Sequence, residues 1–237
     1  MLKRSDIKRE AAKIINEELT VDDSLFLYHD VCTNGIGYVD LMFKTDSIAP
    51  EQIPYLGLLK SVLGYVDTEN YTYGELFNEI NANTGGINCG VEVFDRADST
   101  EEFQAMFSVR GKALYTKMDF LFKMIGEILN SSKLEDTKRL YEIVASVKSR
   151  AQVNLTGAGH STAVLRATAY SSPMAAFQDE MAGIGYYQFI EKLEKDFEQR
   201  KEETVEELCK LMKEILRPEN FMTSYTGERE SLETVQK

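Results

Sequence analysis

Two histidines, three cysteines and 39 acidic side chains are the groups in this 237-residue chain that could carry chemistry. Metal-assisted hydrolysis needs three or four His, Cys, Asp or Glu ligands on rigid elements, with one position left for water. His29 closes the apolar run Leu25–Tyr28 and is followed by Asp30. In a strand, adjacent residues point to opposite faces, so His29 and Asp30 form no acid–base pair and His29 reads as structural. His160 lies in Gly157-Ala158-Gly159-His160-Ser161. A glycine-rich turn ahead of a helix can hold an anion on free N–H groups. The spacing, however, is neither that of a phosphate loop nor that of a nucleophile elbow, and no strand precedes it. The segment reads as an interhelical turn with a packed or capping histidine, and a binding role is the alternative.

Cys32, Cys89 and Cys209 are far apart, odd in number and without a CxxC pair. That spacing argues against a disulfide framework or a structural zinc site and for reduced thiols in a cytoplasmic compartment. Cys89 falls on the apolar side of a strand pattern and reads as a buried, unreactive thiol. Glu202, Glu203, Glu206 and Glu207 read as a solvated helix face. Paired carboxylates for glycoside hydrolysis cannot be picked out of so many acids without geometry. On residue types and spacing, no catalytic, cofactor-binding or metal residue is assigned, and no residue is named for substrate contact.

The elements that would position these groups follow from periodicity. Leu25–Cys32 and Ile36–Thr45 read as strands, and Thr33-Asn34-Gly35 between them predicts a β-hairpin. Ile53, Leu56, Leu58, Leu59, Val62 and Leu63 suit a buried helix with Pro54 in its first turn. Thr72 and Glu75 form a capping-box pattern for a helix carrying Leu76, Phe77 and Ile80, which stops at Thr84-Gly85-Gly86. Two alternating runs, 87–94 and 102–109, predict a second hairpin. The chain then turns helical: Leu114 to Leu129, Asp136 to Asn154, a helix to about Tyr170, one from Pro173, and one from Asp196 to Leu216. Phe221–Thr226 reads as a last strand. The fold class is α+β, a two-layer arrangement of an antiparallel β-sheet with helices packed on one face. The division is a charged lead-in or linker over residues 1–20, one domain over 21–227, and a polar tail or the start of a connection over 228–237.

Charge and hydropathy exclude some partners. The count of 27 basic against 39 acidic residues gives −12, which repels polyanions, so neither nucleic acid nor an anionic membrane is expected as a partner. No stretch approaches the ~20 apolar residues of a membrane-spanning helix. Residues 1–19 lack the apolar core of a secretory signal.

Ordered strings point further. Asn34-Gly35-Ile36-Gly37-Tyr38-Val39-Asp40-Leu41-Met42-Phe43, Ile53-Pro54-Tyr55-Leu56-Gly57-Leu58-Leu59, Asp67 to Leu76 and Asn83-Thr84-Gly85-Gly86-Ile87 resemble the presequence protease branch of the insulinase family of zinc metallopeptidases. Gly157-Ala158-Gly159-His160 and Ser171-Ser172-Pro173 fall where similar strings are expected, so the resemblance spans about residues 20–225. It implies a processing-peptidase or insulinase-like fold, in enzymes of four homologous domains that enclose a peptide chamber. Their first domain carries zinc on an H-x-x-E-H motif. This chain is most similar to the third domain. The helix that would bear the motif, Glu51–Leu63, has no histidine; Leu58, Leu59 and Lys60 cannot replace ligands, and Glu142 alone cannot hold zinc. The resemblance thus implies a non-catalytic wall or lid domain. It needs no cofactor of its own, with zinc in the parent's catalytic domain, and its partners are the parent's other domains and unfolded peptides. It also implies that Met1 is the start of a fragment and that a further domain follows Lys237. An isolated domain would expose contact surface and could self-associate. The alternatives are a free-standing inactive peptide-binding or scaffold protein with this fold and an unrelated small enzyme using His160.

Overall fold

The computed structural model describes residues 16–96, 98, 99 and 101–235. Six strands, β1 (Glu17–Val21), β2 (Ser24–Asp30), β3 (Ile36–Lys44), β4 (Ile87–Asp95), β5 (Phe103–Leu114) and β6 (Phe221–Gly227), form one sheet in the order β1-β2-β6-β3-β5-β4. All pairs are antiparallel except β2 with β6. The helices are α1 (Ile53–Val62), α2 (Tyr73–Asn83), α3 (Met118–Ser131), α4 (Thr137–Gly157), α5 (Gly159–Thr168), α6 (Pro173–Ala182), α7 (Ile184–Lys195), α8 (Phe197–Ile215) and the short α9 (Leu232–Val235). The expected α+β class holds, with one parallel pair in a mostly antiparallel sheet.

Local signals act where they are read. Thr72 Oγ1 accepts from the Glu75 N–H at 3.3 Å while the Glu75 carboxylate accepts from the Thr72 N–H at 2.9 Å. This closes the capping box at the start of α2 and satisfies helix-end donors. Alternation in β4 and β5 gives the predicted hairpin. One face of the sheet carries Tyr28, Val39, Phe107, Val109 and Tyr225, all buried in a common core with α1, α3, α4, α7 and α8.

The hairpin expected from Leu25–Cys32 and Ile36–Thr45 does not form. Asn34 and Gly35 do turn, at φ of 54° and 82°, but β6 lies between β2 and β3. The turn is carried across the end of β6 and held there by Glu228, the next residue. Its carboxylate accepts from the N–H groups of Thr33 and Asn34, each at 3.1 Å, and of Gly35 at 3.3 Å. The Tyr115 hydroxyl, just after β5, donates to the same carboxylate and accepts from the Glu228 N–H at 2.8 Å. The Tyr115 bond is the largest cause that lowers the Glu228 carboxyl to a pKa of about 2.

Four further segments take structure that the pattern reading did not give. The lead-in falls mainly on residues 1–15, outside the described residues, but its end is β1, joined to β2 by Asp22 and Asp23 at positive φ. Leu114 ends β5 instead of starting a helix. A separate helix, α7, occupies a stretch that the spacing left unassigned. Of the segment read as a polar tail, Ser231 accepts or donates at 2.6 Å with the Tyr225 hydroxyl, and Leu232 joins the core. Residues 236 and 237 lie outside the described residues.

Candidate functional site

The helix that the resemblance singles out is α1. Leu56, Leu58 and Leu59 are fully buried there. Gly57 lets α6 and α7 come close: a Cβ at this position would lie 2.6 Å from the Met181 carbonyl oxygen and 2.8 Å from the Tyr186 ring. Positions that could face a metal are thus occupied by packing. Glu51 is exposed on the turn before α1. The N-terminal end of α1 is tied to α8 instead. Gln52 Nε2 donates to Glu207 at 3.2 Å, the Tyr55 hydroxyl donates to Glu203 at 3.4 Å, and Arg200 donates to the Tyr55 oxygen at 2.9 Å. The acidic run on α8 is therefore more than a solvated face: two of its four members bond to the α1 region. Arg200 holds the Glu203 carboxyl below the usual carboxylate range.

The other residues named from the sequence are scattered. His29 bonds the Ser224 hydroxyl at 3.2 Å across the β2–β6 pair. His160 is exposed on the first turn of α5, after a break of one residue at Ala158. The packed or capping role expected for it is corrected: no side chain caps α5, and none of α5's residues is buried. Cys89 lies on the helix side of β4, where burial pushes its thiol up to about 12. Burial also raises Cys209, and Cys32 is exposed. Glu142 pairs with Arg139 at 2.9 Å. Among the described residues, no three His, Cys, Asp or Glu side chains are grouped so as to hold a metal ion.

The face of the sheet away from the core has a different character. Arg110 on β5 pairs with Asp40 on β3 at 2.8 Å and with Glu92 on β4 at 3.0 Å. Burial raises the Asp40 pKa, opposed by the Arg110 guanidinium. Asp40 Oδ1, Ser108 Oγ and His29 Nδ1, all on this face by register, are buried without hydrogen-bond partners among the described residues. A concavity of about 390 Å³ opens over Tyr38, Asp40, Asn88, Lys112, Ser224 and Thr226. On the same face by register, Leu25, Tyr38, Phe94 and Leu114 are exposed. An ion-paired carboxylate among such groups is suited to recognition, since Arg110 already holds the charge that a general base would need free.

A second concavity, a groove of about 500 Å³, runs beside β4 between the end of α1 and α2. Lys60 and Arg150, 90 positions apart in sequence, both line it. The sequence reading considered Lys60 only as a failed metal ligand and passed over Arg150. No motif joins them; only the packing of α4 against α1 brings them together.

The profile described as Peptidase M16 subfamily C associated matches residues 1–193. Protein HypA of Clostridium perfringens is 35% identical over 233 residues, covering 98% of this chain and 24% of its own length. Presequence protease 1, chloroplastic/mitochondrial, of Arabidopsis thaliana is 26% identical over 236 residues, covering 100% of this chain and 22% of its own. The mitochondrial presequence protease of Yarrowia lipolytica is 28% identical over 211 residues, covering 89% and 21%. The chain spans about a quarter or less of the length of these curated relatives.

Proposed function

The chain belongs to the peptidase-associated family whose profile it matches, and from that membership we propose that it is a non-catalytic domain of a longer, zinc-dependent peptidase. Its role is to form part of the wall and lid of a peptide chamber, packing against a sister domain. The observation that carries the reading is the contrast within α1. The helix expected to hold zinc in a catalytic domain has the sequence IPYLGLLKSV, without His, Asp, Glu or Cys, and its buried positions pack on α6 and α7. The exposed apolar residues around the Asp40–Arg110–Glu92 network supply a surface for a sister domain. The zinc and the water it activates would reside on that longer protein's catalytic domain. Three separate free thiols suit a reducing compartment such as the cytoplasm.

Two measurements test this. The purified chain, supplied with zinc, should cleave no unfolded peptide; cleavage that a chelator abolishes would overturn the reading. An immunoblot of source cells with an antibody to this domain should give a band at about four times the fragment's 26.9 kDa. A band at the fragment's own mass would favour a free-standing binding or scaffold protein instead.

A further inference from the structure

The groove beside β4 has features that a passive wall does not need. Its floor comes first. Every residue from Gly86 through Glu92 lines it. Alternate residues of a strand point to opposite faces, so a cavity that touches all of them lies along the strand's edge. β4 is the last strand of the sheet and pairs with β5 alone among the described strands. Its outer N–H and C=O groups are free to template an added strand.

Charge comes second. The chain carries −12, yet the ionic side chains on the helical side of the groove are Lys60 and Arg150. Among the described residues neither has an ion-pair partner within 4.0 Å. Glu92, on the strand, is already paired to Arg110. Burial lowers the pKa of Lys60, opposed by the charge of Glu92, so its ammonium lacks full hydration. Lys60, Ser61 and Arg150 also line an adjoining cavity of about 250 Å³. Tyr186 lines that cavity too, only 6% exposed and with no hydrogen-bond partner for its hydroxyl among the described residues. Ser61 is near enough to act on the phenol but spends its own proton on the Gly57 carbonyl at 3.4 Å. An unsatisfied buried hydroxyl is rare in a folded protein. Here it adjoins two unpaired cations.

We propose that this groove binds the C-terminal end of an extended peptide. The peptide backbone pairs with the free edge of β4. Its apolar side chains rest on Tyr65 and Phe77, which line the groove and are 51% and 58% exposed. Its terminal carboxylate is held by Lys60 and Arg150, with the Tyr186 hydroxyl as a further donor. The inference rests on the chamber-wall reading and adds that this wall selects peptide ends.

Fluorescence anisotropy on the 237-residue chain tests it, with a fluorescein-labelled ten-residue peptide of alternating valine and serine. Four forms are compared: the free acid, the C-terminal amide, the amide with a glutamate near its end, and the acid N-methylated at alternate backbone nitrogens. Because charge-assisted hydrogen bonds are the strong ones, the acid should bind about tenfold more tightly than either amide. K60M/R150M should abolish that difference and Y186F should reduce it severalfold. Arg150 is exposed, so R150M alone serves if the double variant fails to fold. N-methylation should weaken binding about tenfold, because it removes donors to the strand edge. Equal binding of acid and simple amide overturns the proposal while leaving the chamber-wall reading intact. So does a glutamate amide that binds as well as the acid, or N-methylation without effect. Absence of any binding also overturns it, and the chamber-wall reading is then decided by its own two measurements.

Discussion

The two faces of the sheet are made from alternate residues of the same strands, yet they are built for different ends. On the helix face, Tyr28, Val39, Phe107, Val109 and Tyr225 are fully buried and glycines permit close approach. A Cβ on Gly111 would lie 2.7 Å from Leu121, and one on Gly37 would lie 2.8 Å from the Met118 sulfur. The other face carries the Asp40–Arg110–Glu92 network and exposed Leu25, Tyr38, Phe94 and Leu114, and three of its buried polar atoms lack partners among the described residues. Dense apolar packing holds the fold from one side. The opposite side keeps polar and apolar groups that the described residues do not themselves satisfy, which is the composition of a surface that meets something else.

Four substitutions break or sharpen that contrast. The largest effect belongs to the packed face: Leu121→Ala, at a fully buried site over Gly111, should cost about 2–5 kcal/mol in urea unfolding, through lost burial and a cavity. Gly57→Ala comes next. The added methyl meets the Met181 backbone carbonyl, which cannot simply rotate away, and overpacking of this kind costs about 1–3 kcal/mol. A stabilised variant would show that α1 and α6 can separate freely, contrary to the contacts described.

Glu228→Gln probes the rim where β6 enters between β2 and β3. The Glu228 carboxyl is lowered from 4.5 to about 2 in the folded chain, first by the Tyr115 hydroxyl. A depressed carboxylate stabilises above its unfolded pKa and loses that contribution as the pH falls through the folded value. Wild type should therefore lose stability relative to E228Q between pH 4.5 and about 2, as followed by thermal unfolding. Parallel pH profiles in that window would remove Glu228 from this role.

The smallest effect is expected on the second face. Arg110→Met breaks two ion pairs, but the Arg110 side chain is 51% exposed. Solvent-screened pairs of this kind are worth about 0.2–1 kcal/mol. A loss as large as that of Leu121→Ala would mean that both faces hold the fold, and the contrast would fail.

Much of the fold was legible where the signal is local. The Thr72–Glu75 capping box, the β4–β5 alternation and the Ser172-Pro173 start of α6 each depend on residues a few positions apart, and the structure has all three. The candidate site was less legible. The ordered strings and the missing histidines in α1 pointed to the family and to a helix without metal ligands. The groove was hidden because Lys60, Arg150 and Tyr186 sit on three helices, one of which, α7, had no clear pattern between Gly183 and Asp196.

The sequence by itself determined most of the segments that turn helical or extended, the acidic balance and the absence of a metal motif, because these depend on residue type and nearest neighbours along the chain. Only the tertiary structure decided the sheet order. A strand with one buried face reads the same whatever strand lies beside it, so nothing local could show that Phe221–Gly227 would part β2 from β3. The same long-range packing laid α1 against α4 and α7. That placed two cations and an unpartnered hydroxyl around cavities beside a free strand edge, an arrangement that exists in space and nowhere along the chain.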